Sequence, residues 1–237
     1  MPAELRVVPF VLMYHSVAAP ADDPARITVS PKRFAHQLAW LKRAGVRGVS
    51  MRELLAAAER GSTAGLVGLT FDDGYADFAS HAAPILARYG FTATAFVVAD
   101  RLGGHNEWDG EPRKALMTAD EVRAVAQMGV EVGSHGLRHQ ALSGADADTV
   151  AVDLRRSRDI LESVLEAPVR GFAYPYGAVP ESAAAAGHAS GYDYAVATWQ
   201  QAARHRFALP RTYIGERDGG TRLLAKRVRH RVAWGSP

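Results

Sequence analysis

The chain contains, at positions 69–74, the sequence Leu69-Thr70-Phe71-Asp72-Asp73-Gly74, in which two adjacent carboxylates follow an apolar run that begins at Leu66. An apolar run of this length that ends near a glycine is typical of a buried strand. Aspartate is disfavoured within strands, so the pair is expected at the carboxyl end of the strand or just after it. Two neighbouring carboxylates near a core need a compensating positive charge, and a divalent cation would supply it. The alternative is a polar Asp-Asp-Gly turn that only closes the strand.

A second polar segment, Gly133-Ser134-His135-Gly136-Leu137-Arg138-His139, follows the strand-like run 130–132. The glycines in it favour a turn, which would let the two histidines reach one point. Histidine is the commonest metal ligand, and two histidines with one carboxylate form a divalent-metal site that keeps open positions. A histidine pair alone is more often a surface feature. Together with the Asp-Asp pair, it favours a metal site.

The composition is that of an ordinary globular protein. The 237 residues are 48% hydrophobic and 22% charged, which is enough apolar sequence for a sizeable core. This length fits one large domain or two small ones, and single α/β barrels commonly reach it. The net charge of +3 gives no argument for nucleic-acid binding. Cysteine is absent, which excludes disulfides and thiolate metal ligands.

The sequence shows no transmembrane segment, because no apolar run approaches the roughly 20 residues that a spanning helix requires. The segment Met1–Met13 has a short apolar run, 7–13, but lacks the long apolar region and the small-residue cleavage site of a signal peptide. We interpret it as a first strand. On the sequence as given, this predicts a cytoplasmic protein, and a secreted or periplasmic one if a leader has been removed.

Strand-like and helix-like segments alternate about eight times, without an internal repeat or a linker. Besides the run that ends at Asp72, strands are predicted at 8–14, 46–49, 92–98, 130–132, 169–174, 194–198 and 207–214, and helices at 30–45, 51–60, 77–89, 118–128, 146–166, 180–190 and 223–232. This order predicts a parallel sheet with helices outside it.

Polar residues follow several of the predicted strands, namely His15, Asp72, Asp73, His135 and Tyr176. A (β/α) barrel places its active site at this edge of the sheet. A doubly wound open sheet is the alternative, although no glycine-rich nucleotide fingerprint supports it.

Two motifs in this order, Thr70-Phe71-Asp72-Asp73-Gly74 and Ser134-His135 with His139, resemble the first two motifs of the polysaccharide deacetylases, the NodB-homology family (carbohydrate esterase family 4). A looser third motif, Phe172-Ala173-Tyr174-Pro175-Tyr176-Gly177, agrees, and the resemblance extends from about Phe10 to Ile214. The resemblance implies a distorted barrel of about seven strands, of the (β/α)7 type. It also implies one catalytic domain over residues 1–237 with metal-dependent de-N-acetylase activity.

The same resemblance assigns roles to individual residues. Asp73, His135 and His139 would hold a divalent cation, most simply Zn²⁺, with Co²⁺, Mn²⁺ or Ni²⁺ as alternatives. Asp72 would be the general base that takes a proton from the attacking water. The backbone N–H of Tyr176, with the cation, would stabilise the oxyanion. The alternative for residues 174–177 is a rigid turn that packs two aromatic rings.

The sequence departs from the family pattern at two points. The third motif usually carries an arginine that steadies the catalytic aspartate, and Ala173 stands at that position. Arg211, in Leu209-Pro210-Arg211, is the candidate for the missing charge, and the alternative is a surface arginine. The late Leu-x-His motif, which carries the usual general acid, is also absent.

His15 is the candidate for the missing acid. The sequence Met13-Tyr14-His15-Ser16 resembles the opening of the branch that deacetylates poly-N-acetylglucosamine, in which the early histidine takes the acid role. We hypothesise that His15 protonates the leaving amine; the alternative is a histidine that only lines the pocket. His105 and His205 are weaker candidates because neither ends a clear apolar strand. Trp108 and Trp199 are candidate stacking surfaces for a sugar, with ordinary packing favoured for Trp199.

Three functions remain open at this point. The first is a hydrolase of non-peptide C–N bonds that removes N-acetyl groups from an amino sugar, either polymeric or smaller. The second is hydrolysis of a small non-polysaccharide amide on the same fold. The third is a carbohydrate-binding pseudoenzyme, against which the intact Asp72, Asp73, His135 and His139 argue, since binding alone needs no free carboxylate beside a metal.

Overall fold

The computed structural model describes residues 8–19 and 23–235. The start of the predicted first strand, Met1–Val7, and part of the loop after it lie outside the described residues. The strands are β1 Val11–Tyr14, β2 Ser16–Val17, β3 Thr28–Val29, β4 Arg47–Val49, β5 Leu66–Phe71, β6 Thr94–Val97, β7 Glu131–Ser134, β8 Gly171–Ala173, β9 Tyr194–Thr198 and β10 Leu209–Tyr213. The α-helices are α1 Pro31–Arg43, α2 Met51–Glu59, α3 Ala83–Tyr89, α4 Ala119–Gln127, α5 Ala147–Leu165, α6 Ala183–Ala189 and α7 Gly220–Trp234.

Strand β1 closes the sheet into a ring. It pairs in parallel with β10 on one side and with β5 on the other, where Val11–Tyr14 lie opposite Gly68–Phe71. The ring order is β1-β10-β9-β8-β7-β6-β5, and β4 pairs with the first half of β5. Seven parallel strands therefore form a closed barrel with helices around it. This confirms the predicted distorted (β/α)7-type barrel and rules out the doubly wound open sheet.

Local sequence signals set the ends of several helices. The Ser30 hydroxyl accepts a hydrogen bond from the Arg33 N–H at the start of α1, and Thr118 and Glu121 form a reciprocal capping box at the start of α4. The predicted helix 146–166 begins one residue later than expected, because Asp146 is its cap and accepts from the Thr149 N–H. These caps orient the helices whose preceding loops form the rim of the barrel.

Two kinds of boundary prediction were wrong. The predicted helix 77–89 is divided into a π-helical turn, Phe78–Ala82, and α3. Pro84 has no N–H to donate to the carbonyl four residues earlier, so the regular α-helical hydrogen-bond pattern cannot pass through it. Most predicted strands were also too long, and the first one covers only Val11–Tyr14. Apolar residues beyond the ends of such strands, among them Val46, Val98 and Val169, are also buried, so burial alone did not mark the ends of the sheet.

The lower end of the barrel, at the start of the strands, is closed by a buried carboxylate. Glu131 is 6% exposed, and it accepts hydrogen bonds from the Tyr194 hydroxyl at 2.9 Å, the Thr94 hydroxyl at 2.7 Å and the Arg52 N–H at 2.8 Å. Apolar side chains from several strands, including Val11, fill the interior above it. The interior is thus packed rather than open, and the opposite rim is left for chemistry. Within residues 8–19 and 23–235, no helix has the length and apolar character needed to cross a membrane.

Candidate active site

The predicted site residues lie together at the carboxyl-end rim of the barrel. All of them except Arg211 line one cavity of about 190 Å³, whose wall consists of Met13, His15, Ile27, Asp72, Asp73, Trp108, Asp109, His135, His139, Tyr176, Gly177 and Thr198. The strands that precede these residues are parallel, so their ends meet at one edge although the residues are far apart in sequence.

Three buried side chains converge on one point of this cavity. The Nε2 atom of His135 lies 3.3 Å from Asp73 Oδ1, and the Nε2 atom of His139 lies 3.2 Å from the same oxygen. All three ligand atoms lie within 4.8 Å of one another. Tetrahedral zinc with ligands at about 2.0–2.2 Å separates neighbouring ligand atoms by roughly 3.3–3.6 Å. The donor types and their spacing therefore fit a divalent cation held by Asp73, His135 and His139.

Hydrogen bonding orients the His135 ring for this purpose. The Nδ1–H of His135 donates to the Ala173 carbonyl at 2.8 Å, which fixes the ring with its Nε2 atom 3.3 Å from Asp73 Oδ1. Burial would raise the pKa of Asp73, but the hydrogen bonds from His135 and His139 outweigh it and hold that pKa well below its usual range. Burial lowers the pKa of His139. Burial also opposes a charge on His135, but Asp72 and Asp73 outweigh it and raise the pKa of that ring. An ionised carboxylate and a neutral imidazole are the forms that bind metal, so a metal would displace a proton from His135.

The backbone is strained at three positions around the cavity. Asp73 has φ of 70°, and His139 and Tyr176 each have φ of 58°. A non-glycine residue in this left-handed region costs about 1–2 kcal/mol, and such residues concentrate at functional sites. The strain turns each of these side chains toward the cavity immediately after its strand or loop.

Asp72 has a different partner from Asp73. Its two oxygens accept from the Arg211 guanidinium, with Nη1–Oδ1 at 2.5 Å and Nη2–Oδ2 at 2.7 Å, and both side chains are almost fully buried. Burial raises the pKa of Asp72, but the charge and hydrogen bonds of Arg211 outweigh it, and the pKa falls below its usual value. Asp72 is therefore an ionised carboxylate beside the Asp73–His135–His139 cluster and outside it.

His15 faces the two carboxylates from the end of β1. It lines the cavity, and a positive charge on its ring would lower the pKa of both Asp72 and Asp73. Its Nδ1 atom is buried and has no hydrogen-bond partner among the described residues. The other two histidines considered from the sequence are not in the cavity wall. His105 pairs with Ala115 in an isolated bridge, and the Nδ1 atom of His205 accepts from the Phe207 N–H.

Two aromatic rings enclose His139. Trp108 stacks on it with ring centroids 4.3 Å apart and planes at 19°, and Tyr176 meets it edge-on at 4.6 Å. The Tyr176 turn requires the following glycine, because a Cβ at Gly177 would lie 2.3 Å from the Thr198 side chain. Trp199 is in a different place, where it packs against Trp234 and His230.

Sequence reasoning missed four residues around the site. Asp153, in α5, is 7% exposed, and its carboxylate accepts from the Leu137 N–H at 3.1 Å, within the loop that carries both histidines. Asp109, Asn106 and Tyr75 form a hydrogen-bonded group beside Trp108. The available signals were an acidic residue on a predicted helix directly after the histidine segment, and the Trp108-Asp109-Gly110 sequence in a long glycine-rich loop.

Comparison with known proteins identifies related sequences and structures. The profile of the family described as "Polysaccharide deacetylase" matches residues 59–195. The protein YxkH of Bacillus subtilis (strain 168), whose name places it among polysaccharide deacetylases, is 27% identical over 190 residues, 79% of this chain and 63% of YxkH. The poly-beta-1,6-N-acetyl-D-glucosamine N-deacetylase of Staphylococcus aureus (strain N315) is 26% identical over 63% of this chain and 54% of its own. The chain thus spans 63% of the length of YxkH and 54% of the length of the staphylococcal protein.

Solved structures share the barrel over nearly the whole chain. The Streptococcus pyogenes deacetylase PplD, determined in complex with acetate, is 26% identical with a TM-score of 0.77, covering 95% of this chain and 99% of PplD. IcaB from Ammonifex degensii has the same fold, with a TM-score of 0.77 at 24% identity, covering 93% of this chain and 97% of IcaB. The family profile matches more than half of the residues, and the barrel is shared with a solved deacetylase. The chain therefore belongs to the polysaccharide deacetylase family.

Proposed function

We propose that the protein is a metal-dependent hydrolase that removes N-acetyl groups from an N-acetylated amino sugar, within one catalytic domain over residues 1–237. The observation that carries this proposal is the separation of two neighbouring carboxylates into different environments. Asp73 lies among metal-ligand atoms with His135 and His139, whereas Asp72 is bonded to Arg211 and stays outside that cluster. Amide hydrolysis by a metal-activated water needs this pair, one carboxylate as ligand and one as base.

Asp73, His135 and His139 would hold the cation in this proposal. When bound there, a divalent metal supplies Lewis-acid activation of the acetyl carbonyl and a water of lowered pKa. Two imidazoles and a carboxylate suit Zn²⁺, and Co²⁺, Mn²⁺ or Ni²⁺ also accept such ligands.

The remaining steps belong to residues of the chain. Asp72, kept ionised by Arg211, takes the proton of the attacking water. The backbone N–H of Tyr176, at the cavity wall, donates to the oxyanion of the tetrahedral intermediate. His15, across the cavity, gives a proton to the leaving nitrogen, so that the C–N bond breaks to release acetate and an amine. Trp108 provides an apolar face against His139 beside which the sugar ring can lie.

The named relatives support a polysaccharide substrate. The staphylococcal proteins that match this chain are poly-beta-1,6-N-acetyl-D-glucosamine N-deacetylases by name. We extend the general class, an N-acetylated carbohydrate, to this chain and leave the sugar linkage and chain length to experiment.

The test is acetate release from a panel of substrates. The panel contains chitooligosaccharides, poly-N-acetylglucosamine fragments and small N-acetyl metabolites, each assayed with and without a chelator, and Asp72→Asn is the matched variant. We expect chelator-sensitive acetate from at least one carbohydrate and none from Asp72→Asn. Acetate only from small non-carbohydrate amides would replace the proposal with an amidohydrolase, and no product from any substrate would favour a carbohydrate-binding pseudoenzyme.

A further inference from the structure

Asp109 is a carboxylate in the wall of the active-site cavity that the hydrolytic steps do not use. It lies on the long loop between β6 and α4, next to Trp108, and it is exposed at the cavity rim. It does not belong to the group of clustered ligand atoms, which contains only Asp73, His135 and His139 within the described chain. The presence of this carboxylate in the cavity wall is therefore not explained by metal binding or by the hydrolytic steps.

Two buried donors fix the position of this carboxylate. Asp109 Oδ2 accepts from the Tyr75 hydroxyl at 3.1 Å and from Asn106 Nδ2 at 3.0 Å. Tyr75 is 0% exposed and Asn106 is 2% exposed. Within residues 8–19 and 23–235, Oδ1 accepts no hydrogen bond from the protein. One oxygen is therefore anchored, and the other is available to a ligand, with little loss of side-chain freedom on binding.

Within the described part of the chain, Asp109 has no basic side chain beside it in the cavity wall. No lysine or arginine is among the described residues that line the cavity, since Arg211 is bonded to Asp72 behind the wall. Asp109 Oδ1 is therefore an acceptor at the rim with which a cationic group of a ligand can pair.

The proposed reaction produces such a cation. Hydrolysis of an N-acetyl group consumes water and yields acetate and an amine, which takes a proton at neutral pH. In a partly deacetylated oligosaccharide, the sugar that has lost its acetyl group carries this ammonium. It can lie next to a sugar that still has its N-acetyl group. The ammonium presents three N–H donors, and a carboxylate oxygen is its natural acceptor.

We propose that Asp109 binds the ammonium of a neighbouring free amino sugar, so that the site prefers partly deacetylated substrates over fully acetylated ones. This inference rests on the proposed function, because it requires that the substrate be an N-acetylated amino sugar. Asp109 acts here in substrate choice and takes no part in bond cleavage.

The experiment compares two substrates that differ by one acetyl group. These are an N-acetylglucosamine trisaccharide and the same trisaccharide with one free amine, and kcat/KM is measured per acetyl group for the wild type, Asp109→Asn and Glu107→Gln. Asparagine keeps an oxygen that can accept from Tyr75 and Asn106, and Glu107 is an exposed acid of the same loop that is paired with Arg101 outside the cavity wall.

An exposed ion pair of this kind should give a preference of about two- to fivefold for the amine-bearing trisaccharide in the wild type. We expect Asp109→Asn to lose this preference and Glu107→Gln to keep it. Raising the ionic strength from about 0.05 to 0.5 M should reduce the wild-type preference, which a merely structural role of Asp109 would not do.

The two proposals fail in distinguishable ways. Equal kcat/KM for the two trisaccharides in the wild type, or an unchanged preference in Asp109→Asn, would overturn the role of Asp109 and leave the deacetylase activity standing. An absence of acetate from both trisaccharides, and from the longer carbohydrates of the panel, would overturn both proposals.

Discussion

Arg211, in β10, binds both carboxylate oxygens of Asp72, which follows β5, at 2.5 and 2.7 Å. The two strands are separated in the ring by β1, so the contact spans the interior of the barrel rim. Ala173, where a motif arginine was expected, is buried in β8 and supplies only its carbonyl, to His135. The positive charge beside Asp72 therefore comes from a different strand.

This pairing predicts the effects of two substitutions at Arg211. Arg211→Lys keeps the charge but loses the two-pronged geometry, so we expect kcat/KM to fall by about 10- to 100-fold, the equivalent of one charged hydrogen bond. Arg211→Ala leaves Asp72 buried without a partner, and we expect it to lower the free energy of unfolding by about 3–5 kcal/mol. Acetate release and denaturant unfolding measure the two effects.

The control for these variants is Arg229→Lys, since Arg229 packs over the Trp199 ring away from the cavity. It should leave kcat/KM near the wild-type value. Wild-type kcat/KM in Arg211→Lys would show that catalysis does not depend on the two-pronged contact with Asp72.

The proposed acid role of His15 predicts a loss of turnover without a loss of metal. Asparagine at this position cannot donate a proton to the leaving nitrogen, so we expect kcat of His15→Asn to fall by about 10²- to 10⁴-fold. Metal content, measured on the purified variant, should match that of the wild type. His205→Asn, outside the cavity wall, is the control. Near-full turnover by His15→Asn with its metal retained would rule the acid role out.

The position of Asp153 predicts a change in metal affinity. Its carboxylate holds the Leu137 N–H from α5, and a Cβ at Gly136 would lie 3.1 Å from its Oδ1, so this side chain defines the shape of the histidine loop. We expect Asp153→Ala to weaken metal binding by about 10- to 100-fold in competition with a chelator, with a smaller effect for Asp153→Asn, which keeps an acceptor.

Asp159 is an exposed residue on the same helix, and Asp159→Ala should leave metal affinity unchanged. If Asp153→Ala binds metal as tightly as the wild type, the histidine loop holds its shape without this carboxylate.

From the burial of His230 in α7, we predict that the free energy of unfolding depends on pH. The residue is 5% exposed between α7 and the barrel, its Nε2–H donates to the Val8 carbonyl, and its Nδ1 has no partner among the described residues. Burial lowers its pKa, although the bond to Val8 opposes the change. The unfolded chain, with a histidine pKa near 6.5, therefore binds a proton more readily than the folded one. The contribution of His230 to the free energy of unfolding is therefore complete above pH 6.5, and it is lost as the pH falls toward the folded-state pKa.

Urea unfolding at pH 7.5 and pH 5.5 measures this effect. The loss of stability between the two pH values should be smaller in His230→Gln than in the wild type, by at most about 1.4 kcal/mol for each unit by which burial lowers the pKa. The exposed His36 provides the control, and His36→Gln should lose as much stability as the wild type. An equal loss in His230→Gln would mean that His230 does not titrate in this range.

The convergence of Asp73 with His135 and His139 could be anticipated from sequence. Each motif follows an apolar run with strand character, and the carboxyl ends of parallel strands meet at one rim. The barrel itself was predictable for a similar reason, since the alternation of strands and helices is regular along the chain. Both the motifs and the alternation of strands and helices are set by residues that are close together in the sequence. Both can therefore be recognised without the structure.

The partner of Asp72 could not be predicted from the sequence in the same way. Arg211 reaches it only because β1 closes the ring between β10 and β5, and ring closure is a property of the whole sheet. The stacking of Trp108 on His139 also depends on the path of a long loop, for which the sequence has no periodic signal. Asp153 was missed because an acidic residue on a helix is usually exposed, and only the packing of α5 shows that it is buried.

The central claim is that Asp73, His135 and His139 bind one divalent cation while Asp72 stays free. A crystal structure of the zinc-loaded protein, with anomalous diffraction at the zinc edge, tests it most directly. We expect one strong peak bonded to Asp73 Oδ1 and to the Nε2 atoms of both histidines, at about 2.0–2.2 Å, with Asp72 still paired with Arg211. A peak elsewhere in the cavity, or one coordinated by Asp72 in place of Asp73, would contradict the account.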